Sequence, residues 1–559
     1  MNAFKRISLT AVFALFTLVI VAQKDVPKGW HLWNPRDSGN YFGISLKEAY
    51  DFIKSKKLKS TPVIVGVIDS GIDTTHEDLK AVLWRNAGEI AGNGIDDDKN
   101  GYIDDVYGWN FLGGRDGRNV DKDSYEASRV YHGLKSKWGK KDIDKAKLTP
   151  AEAKEYAMWL RAKEEVGEID PIVAYNIILI KKSLKDARAA DSIFKSKIKE
   201  DYTAKDVEGY TPADDITKRG KRNILRLYEQ FEIGLEQPAS EALNDIAQSL
   251  DAEESKLRAA EQAPPAFRAG IVKDNYDDFS DRFYGNGDVM AGKSSALHGT
   301  HVSGIIGAVR DNGVGVNGVA DNVRIMMVRA VPDGDEHDKD VALAIRYAAD
   351  NGAKIINMSF GKSYSPEKKW VDEAAKYAQS KGVLLVQAAG NDNKNIDTTY
   401  NFPSSLYDDG SRGPEWITVG ASGPTTKGLT AYFSNYGKKS VDVFAPGMKI
   451  YSTIPGSNYK DEQGTSMASP VVAGLAALIM EYYPNLSARQ VKMVIEKSAQ
   501  KPTIKVKDPG NGEEVEMSDL SRTGGIINAY EAVKLASTLK GERTPDKIVT
   551  STVKPKIRE

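Results

Sequence analysis

The feature that most constrains the fold is a series of short apolar runs, each ending near a polar residue. Residues 63–68 are apolar and precede Asp69, and comparable runs end at residue 359 and cover residues 383–389. Runs of this length, rich in β-branched residues, are typical of parallel strands that are buried on both faces. Residues 340–351 have the apolar spacing of a helix. The sequence therefore predicts alternating strands and helices, an α/β fold with a mostly parallel sheet.

Composition narrows the class of protein. The chain has 559 residues, of which 41% are hydrophobic and 28% charged, with a net charge of -1. These values are typical of a soluble globular protein of several structural units, and they argue against nucleic acid or an anionic membrane as a partner. The chain has no cysteine, so disulfides and attachment through a lipidated cysteine are excluded, and stability must come from packing and from any bound metal.

The first 22 residues have the order of a secretory signal. Lys5 and Arg6 precede an apolar run at residues 7–22, and polar residues follow from Gln23. We expect cleavage after Ala22 and export to the periplasm, the cell surface or the medium, with no membrane contact afterwards. The alternative is an uncleaved anchor, which the length disfavours because a spanning helix needs about 20 apolar residues.

A helical insertion is predicted at residues 119–270. Lys, Glu, Asp and Ala dominate there, and helical spacing replaces the strand pattern. Helix starts are predicted at Thr149 and Thr211, where Thr-Pro precedes an acidic residue, and a third helix at 239–262. This unit is expected to be a solvated bundle packed on the core, and it is a candidate for contact with substrate or a partner protein.

The remaining boundaries follow from this assignment. Residues 23–118 and 271–537 form the two parts of the α/β domain, and residues 538–559, which are polar and without periodicity, form a tail.

Three distant segments each supply one member of a nucleophile, base and orienting-acid set. Asp69 ends a predicted strand, at the edge where open parallel sheets bind ligands, and His298 begins an apolar helix rich in small residues. Ser466 begins a second such helix, whose exposed amides would stabilise an oxyanion. Taken singly, the acid and the serine are more simply explained as helix caps or turn formers, and only their combination favours catalysis.

Two further observations refine this set. The helix start is expected to favour the neutral imidazole that a general base needs at His298. His301, three residues on, could pair with His298 on zinc, but the glutamate of the metalloprotease motif is missing. Asn391 directly follows a strand, where it could donate to the oxyanion or simply form a tight turn.

Four motifs in order, VIDSGID, HGTHVSG, AAGND and GTSMASP, resemble the subtilisin-like serine peptidases of the peptidase S8 (subtilase) family. The resemblance covers residues 63–112 and 275–535 and implies a three-layer αβα fold. It also implies that Asp69 orients the imidazole, His298 is the general base, Ser466 the nucleophile and Asn391 the oxyanion donor. The long insertion and the segment FSDRFYGNGDV are similar to Bacteroidetes-type members.

The same resemblance implies how substrate binds. One segment would pair with the substrate as an added strand, and another would line the pocket for the residue before the cut. The first consists of Ser359, Phe360 and Gly361, and the second of Ala388, Ala389 and Gly390.

Two departures from the family pattern stand out. The separation of Asp69 from His298 is much longer than usual because the insertion lies between them. The segment between Ala22 and Asp69 is short for the usual inhibitory propeptide, so the maturation route stays open.

Structural calcium is expected at two places. One loop carries oxygen ligands at alternate positions around Gly101, like the first half of a calcium loop, although Tyr107 stands where an EF-hand has its closing Glu; an ordinary Asx-rich turn is the alternative. Its candidate ligands are Asp96, Asp98, Asn100 and Asp104. A second site is implied by the resemblance, with Asp78 facing a loop that contains Asn312, Val314 and Val316.

The sequence thus predicts a secreted serine endopeptidase acting on proteins or peptides through an acyl-enzyme, with no cofactor for catalysis. The alternative is a calcium-stabilised, non-catalytic protein-binding module on the same fold. The preferred side chain at the cleavage site, the natural substrate and the oligomeric state are left open.

Overall fold

The computed structural model describes residues 26–35, 41–140, 143–167, 171–231, 233–235 and 237–543. The predicted signal peptide at 1–22 and most of the predicted tail lie outside the described residues. Residues 538–543 are described, and they are docked on the body: the Lys540 carbonyl accepts from Gln490 and the Arg543 amide donates to Asn485. The first residues of the predicted tail, 538–543, are therefore held against the body.

A seven-stranded sheet forms the centre of the fold. Its strands are β1 (Val63–Asp69), β2 (Gly108–Asn110), β3 (Val323–Arg329), β4 (Ile355–Met358), β5 (Leu384–Ala388), β6 (Trp416–Ser422) and β7 (Val443–Pro446). They lie in the order β2-β3-β1-β4-β5-β6-β7, and every neighbouring pair is parallel. The predicted parallel sheet is confirmed, and β1 lies between β3 and β4.

The sheet is buried on both faces because its side chains alternate between two apolar layers. On β1, Val65 and Val67 belong to one buried cluster, whereas Ile68 belongs to the other. The first layer contains α1 (Leu46–Ser55), α8 (Leu297–Gly307), α11 (Thr465–Tyr482), α12 (Ala488–Ser498) and α13 (Ala529–Ala536). The second contains α9 (Asp338–Asp350) and α10 (Lys368–Ser380). The architecture is the three-layer αβα arrangement.

Helix α11 is the central helix of the first layer. Among the described helices it alone is long and apolar enough to cross a membrane, but 89% of it is buried inside the protein. It packs on strands β4 to β7 and carries Ser466 at its start.

Between β2 and α8, the described residues form six helices. They are α2 (Glu126–Trp138), α3 (Pro150–Gly167), α4 (Pro171–Lys197), α5 (Ala204–Gly209), α6 (Asp215–Gln230) and α7 (Ala239–Glu261). Helices α4 to α7 share a core of their own, whereas α2, α3 and the end of α7 pack around Tyr364 of the α/β body. The inserted helices are therefore both a separately packed unit and a layer against the body.

Two small antiparallel ribbons complete the fold. One pairs β8 (Ile450–Ile454) with β9 (Asn458–Glu462), and the other pairs β10 (Val506–Lys507) with β11 (Glu514–Val515). The first ribbon packs on α8, near the carboxyl edge of the sheet.

Candidate active site

Asp69 is the last residue of β1 and is 1% exposed. Its Oδ1 accepts hydrogen bonds from the Ser70 amide at 2.8 Å and from His298 Nδ1 at 2.7 Å. Helix α8 can approach the end of β1 this closely because residue 299 is glycine. A Cβ at Gly299 would lie 2.2 Å from the Gly71 carbonyl oxygen. A buried carboxylate bonded to the imidazole fixes the ring and stabilises its protonated form.

The His298 imidazole responds to two opposing effects. Burial by itself would lower its pKa, but the Asp69 carboxylate, with its charge and hydrogen bond, and the more distant charge of Glu462 outweigh burial and raise the pKa above its ordinary value. From the sequence, we expected the helix start to favour the neutral imidazole of His298. The direction of the pKa shift is the opposite, because the Asp69 carboxylate raises this pKa.

His301 has a different setting from His298. It is completely buried, its Nε2 donates to the Lys460 carbonyl at 3.1 Å, and burial lowers its pKa to about 3. A neutral histidine that ties α8 to the β8–β9 ribbon is a structural residue, so the geometry gives no support to a zinc pair with His298.

Ser466 lies at the start of α11, two residues after Gly464. Its Oγ donates to the Ser359 carbonyl at 3.0 Å, while Ser359 Oγ donates to the Ser466 carbonyl at 2.9 Å. The described residues contain no direct hydrogen bond between Ser466 and His298. Both side chains nevertheless line one cavity of about 860 Å³, together with Asn391 and Ser359.

Asn391 is oriented by the residue before Ser466. Its Oδ1 accepts from the Thr465 amide at 2.8 Å and from Thr465 Oγ1 at 3.0 Å. Asn391 lines the same cavity as Ser466, and its Nδ2 group is the part of the side chain that can donate hydrogen bonds there. This is the arrangement that an oxyanion donor requires.

The predicted substrate segments follow β4 and β5. Phe360, Gly361, Ala388 and Gly390 line a second cavity, of about 550 Å³, which also reaches Ser466 and Asn391. Ala389 does not line it: its side chain is buried in a cluster with Leu429 and Phe444. The alternation of side chains along an extended segment explains this, since a residue between two cavity-lining residues faces the other way.

The insertion contributes residues that sequence reasoning missed. Asp121, Lys122, Asn244 and Asp245 line the cavity of His298, and Ala127, Ser128, Glu165, Val166 and Ala259 line the second cavity. Helical periodicity shows only which face of a helix is apolar, so the sequence could predict an insertion packed on the core but not which of its residues would line the cavities.

Comparison with known proteins identifies the family. The subtilase family profile matches residues 60–516, which is most of the chain. The chain belongs to the subtilase family. A thermophilic serine proteinase of Bacillus sp. (strain AK1) is 39% identical over 242 residues, which are 42% of this chain and 52% of that protein. Thermitase of Thermoactinomyces vulgaris is 34% identical over 273 residues, covering 47% of this chain and 85% of thermitase.

The match therefore spans about half of the AK1 proteinase and most of thermitase. A solved structure of a protease from Pseudoalteromonas arctica PAMC 21717 is 31% identical, with a TM-score of 0.35, covering 43% of this chain and 70% of the other.

In this subtilase, the loop around Gly101, the first candidate calcium site, brings together a different set of acidic side chains from the predicted one. Carboxylate oxygens of Asp96, Asp98 and Glu89 lie within 4.8 Å of one another. Asp104 is not in this group: its carboxylate accepts from the amides of residues 92–94. Asn100 Oδ1 accepts from the Tyr102 amide. The acidic oxygens that converge are thus those of Glu89, Asp96 and Asp98, with Glu89 in place of Asp104, and they also accept N–H groups of the same loop.

The second candidate site is satisfied by the protein itself. Asp78 Oδ1 accepts from the Asn312 side-chain amide at 2.7 Å, and Oδ2 from the Val316 amide at 3.0 Å. Asn312 Oδ1 accepts from the Val314 amide. The structure brings all four predicted residues together around the Asp78 carboxylate, and calcium at this point stays a prediction.

Proposed function

We propose that this subtilase is a serine endopeptidase in which Ser466 is the nucleophile. The observation that carries the proposal is the buried Asp69–His298 pair, joined at 2.7 Å, facing the cavity that also contains Ser466 and Asn391. A buried acid, an imidazole bonded to it and a hydroxyl at a helix start form the set that acyl transfer requires. The related serine proteinases favour this function over a non-catalytic binding module.

The chemistry follows from these positions. Ser466 Oγ attacks the peptide carbonyl carbon while His298 Nε2 takes the hydroxyl proton, and Asp69 stabilises the resulting imidazolium. Asn391 Nδ2 and the Ser466 amide donate to the oxyanion. The imidazolium then protonates the leaving amine, the C–N bond breaks, and water, deprotonated by His298, hydrolyses the acyl-enzyme.

The hydrogen bond that the Ser466 hydroxyl makes in this structure affects how its attack on the peptide carbonyl begins. Its hydroxyl donates to the Ser359 carbonyl, a group on the segment proposed to pair with substrate. A substrate N–H bound to that carbonyl would compete with the hydroxyl, leaving Ser466 to rotate toward His298. Substrate binding and activation of the nucleophile would thus be linked through one acceptor.

A fluorophosphonate probe tests the proposal, because it phosphonylates only an activated serine. The wild-type protein should be labelled at Ser466, and Ser466→Ala should not. A folded wild-type protein without labelling would favour the binding-module alternative.

We also propose that the insertion contacts the substrate. Asn244 and Asp245 of α7 line the cavity of His298, and Glu165 of α3 lines the second cavity, so inserted helices border both. An Asn244→Trp variant should raise KM for protein substrates through steric exclusion, and an unchanged KM would contradict the contact.

Structural calcium is proposed only at the loop with Glu89, Asp96 and Asp98, where three carboxylates converge. A bound ion would offset their repulsion and hold the loop, and it would take no part in the chemistry.

For localisation, we propose export directed by residues 1–22, supported by the basic start and apolar run. Mass spectrometry of the mature protein should find its N-terminus at Gln23, and retention of Met1 would contradict this.

We further propose a relationship to Bacteroidetes-type subtilases, supported by the insertion and by residues 279–289. Finding both features equally often in subtilases of unrelated phyla would contradict it.

A further inference from the structure

The second cavity has an acidic end. It extends from Ser466 and Asn391 to Asp335 and Glu336, which lie in the loop before α9, and Glu165 of the insertion borders it as well. Glu336 is 2% exposed, and its Oε1 is buried with no hydrogen-bond partner among the described residues. A buried carboxyl oxygen without a partner is costly, so its presence beside the nucleophile calls for a ligand.

The buried cation that lines this cavity is already neutralised. Lys362 Nζ donates to Glu126 Oε2 and to the Glu336 carbonyl, both at 2.7 Å, and lies 2.9 Å from an Asp338 carboxylate oxygen. These hydrogen bonds use two of its three ammonium protons, and the Asp338 carboxylate pairs with its charge. The Glu126 and Asp338 carboxylates lie outside the cavity lining.

The second nearby cation also leaves Glu336 unpaired. Arg129 pairs with Glu126 at 2.6 Å and lies 3.7 Å from Asp123, and it contacts residues 335 and 336 only through their carbonyl oxygens. Within the described ranges, no Lys, Arg or His nitrogen lies within 4.0 Å of the Asp335 or Glu336 carboxyl oxygens.

The consequence is an excess of acidic over basic side chains around the cavity, where Glu165, Asp335, Glu336 and Asp392 stand against Lys362 and Lys394. Burial raises the pKa of Glu336 to about 8. The charges of Asp335 and Asp338 also raise this pKa, and together with burial they outweigh the charge of Lys362, which lowers it. Burial also raises the pKa of Asp335. In both cases burial outweighs the nearby cations, Lys362 for Glu336 and Arg129 with Lys362 for Asp335, so a further cation brought by a ligand would favour the ionised form.

The shape of the cavity indicates what kind of cation fits. Its walls also include the apolar groups of Phe360, Tyr364, Val166 and Ala259. A side chain with an aliphatic stem and a charged tip matches such walls, since the stem buries apolar area while the tip reaches the carboxyl groups.

We propose that this cavity receives a lysine or arginine side chain of the substrate, upstream of the scissile bond, and that Glu336 recognises its charge. The proposal rests on the peptidase function proposed above. It assigns a preference for basic side chains to one position of the cleaved sequence, with Asp335 and Glu165 adding to the attraction.

Matched fluorogenic peptides test it. At each of the four positions before the cleaved bond, peptides with Lys, Arg, Gln or norleucine are compared by kcat/KM. At one position the basic residues should exceed the neutral ones by about tenfold or more, the effect of one desolvated charge-assisted contact. Glu336→Gln should bring this ratio close to one, whereas Glu373→Gln, an exposed residue of α10 outside the cavity, should leave it as in wild type.

The outcomes separate this proposal from the peptidase function. Ser466-dependent hydrolysis with no basic preference at any of the four positions, or a preference that persists in folded Glu336→Gln, overturns the proposal alone. Absence of Ser466-dependent hydrolysis overturns the peptidase function. Should Glu336→Gln fail to fold, Glu165→Gln replaces it: a preference reduced severalfold supports the acidic cavity, and an unchanged one overturns it.

Discussion

At the scale of single residues, the Asp69–His298 pair decides the protonation of the site. The acid outweighs burial and raises the pKa of the imidazole, so the protonated form persists to higher pH than in free histidine. Protonated His298 cannot accept the Ser466 proton, so activity requires its neutral form.

The pH profile should reflect this shift. We expect kcat/KM to fall as the pH is lowered, with an acidic limb above the ordinary imidazole value of about 6.5. Glu462→Gln removes one of the charges that raise the pKa of His298, so the acidic limb of this variant's pH profile should move to lower pH. The exposed Glu373→Gln variant serves as the control, and a wild-type limb below 6.5 would contradict the pKa argument.

Asn391 provides a second prediction at this scale. Asn391→Ala removes the Nδ2 donor and should lower kcat about 10²- to 10³-fold, with a small effect on KM, because the donor acts on charge that develops in the transition state. Steady-state kinetics with a peptide substrate measures both constants. A loss confined to KM would show that Asn391 binds substrate rather than the oxyanion.

At the scale of elements, local sequence signals predicted some boundaries and missed others. Helix α3 begins at Pro150 after Thr149, as predicted, and α7 spans Ala239–Glu261 against a predicted 239–262. The helix predicted to begin at Thr211 begins instead at Asp215, capped by Asp214, whose carboxylate accepts from the Thr217 amide. The reciprocal Asp214–Thr217 capping box outcompetes the Thr-Pro signal, and both possibilities were present in the sequence.

The catalytic motifs could be located from sequence because each is local: a strand end or a helix start. Glu336 and Glu165 could not, because their importance depends on which distant segments pack around them. The same holds for Glu89, which replaces Asp104 beside Asp96 only through the fold of its loop.

The junction between insertion and body makes a prediction about stability. Arg268 is buried and donates to both Asp340 carboxylate oxygens and to Asp274, and Tyr284 also donates to Asp340. Arg268→Ala removes the cation paired with buried Asp340, leaving it the Tyr284 hydroxyl, and should lower the free energy of unfolding by about 3–5 kcal/mol.

Urea denaturation followed by tryptophan fluorescence measures this loss. Lys273→Ala is the matched control, since Lys273 forms an exposed pair with Asp116 and should change the free energy of unfolding by less than about 1 kcal/mol. Equal losses in the two variants would show that the buried network does not anchor the insertion.

At the scale of the whole molecule, one sheet edge gathers residues from distant parts of the chain. Asp69, His298 and Ser466 come from β1, α8 and α11, and the inserted helices then narrow the cleft from outside. The sequence predicted the body and the insertion and left contact between the insertion and the substrate as one hypothesis; which inserted residues border the cleft depends on packing between units rather than on periodicity.

Calcium should affect the stability of the whole protein. Adding calcium after chelation should raise the melting temperature of the wild-type protein, because an ion bound only to the folded state stabilises it. Asp96→Asn should reduce this increase, whereas Asp78→Asn should not, because Asp78 lies outside the group of converging carboxylates. A calcium response lost only in Asp78→Asn would place the ion at the other site.

The central claim is that Ser466 cleaves peptide bonds in this fold. Casein hydrolysis by the purified protein, compared with Ser466→Ala of equal thermal stability, tests it most directly. We predict hydrolysis by the wild type and its loss, by several orders of magnitude, in the variant. Equal hydrolysis by both proteins, or none by a folded wild type, would contradict the account.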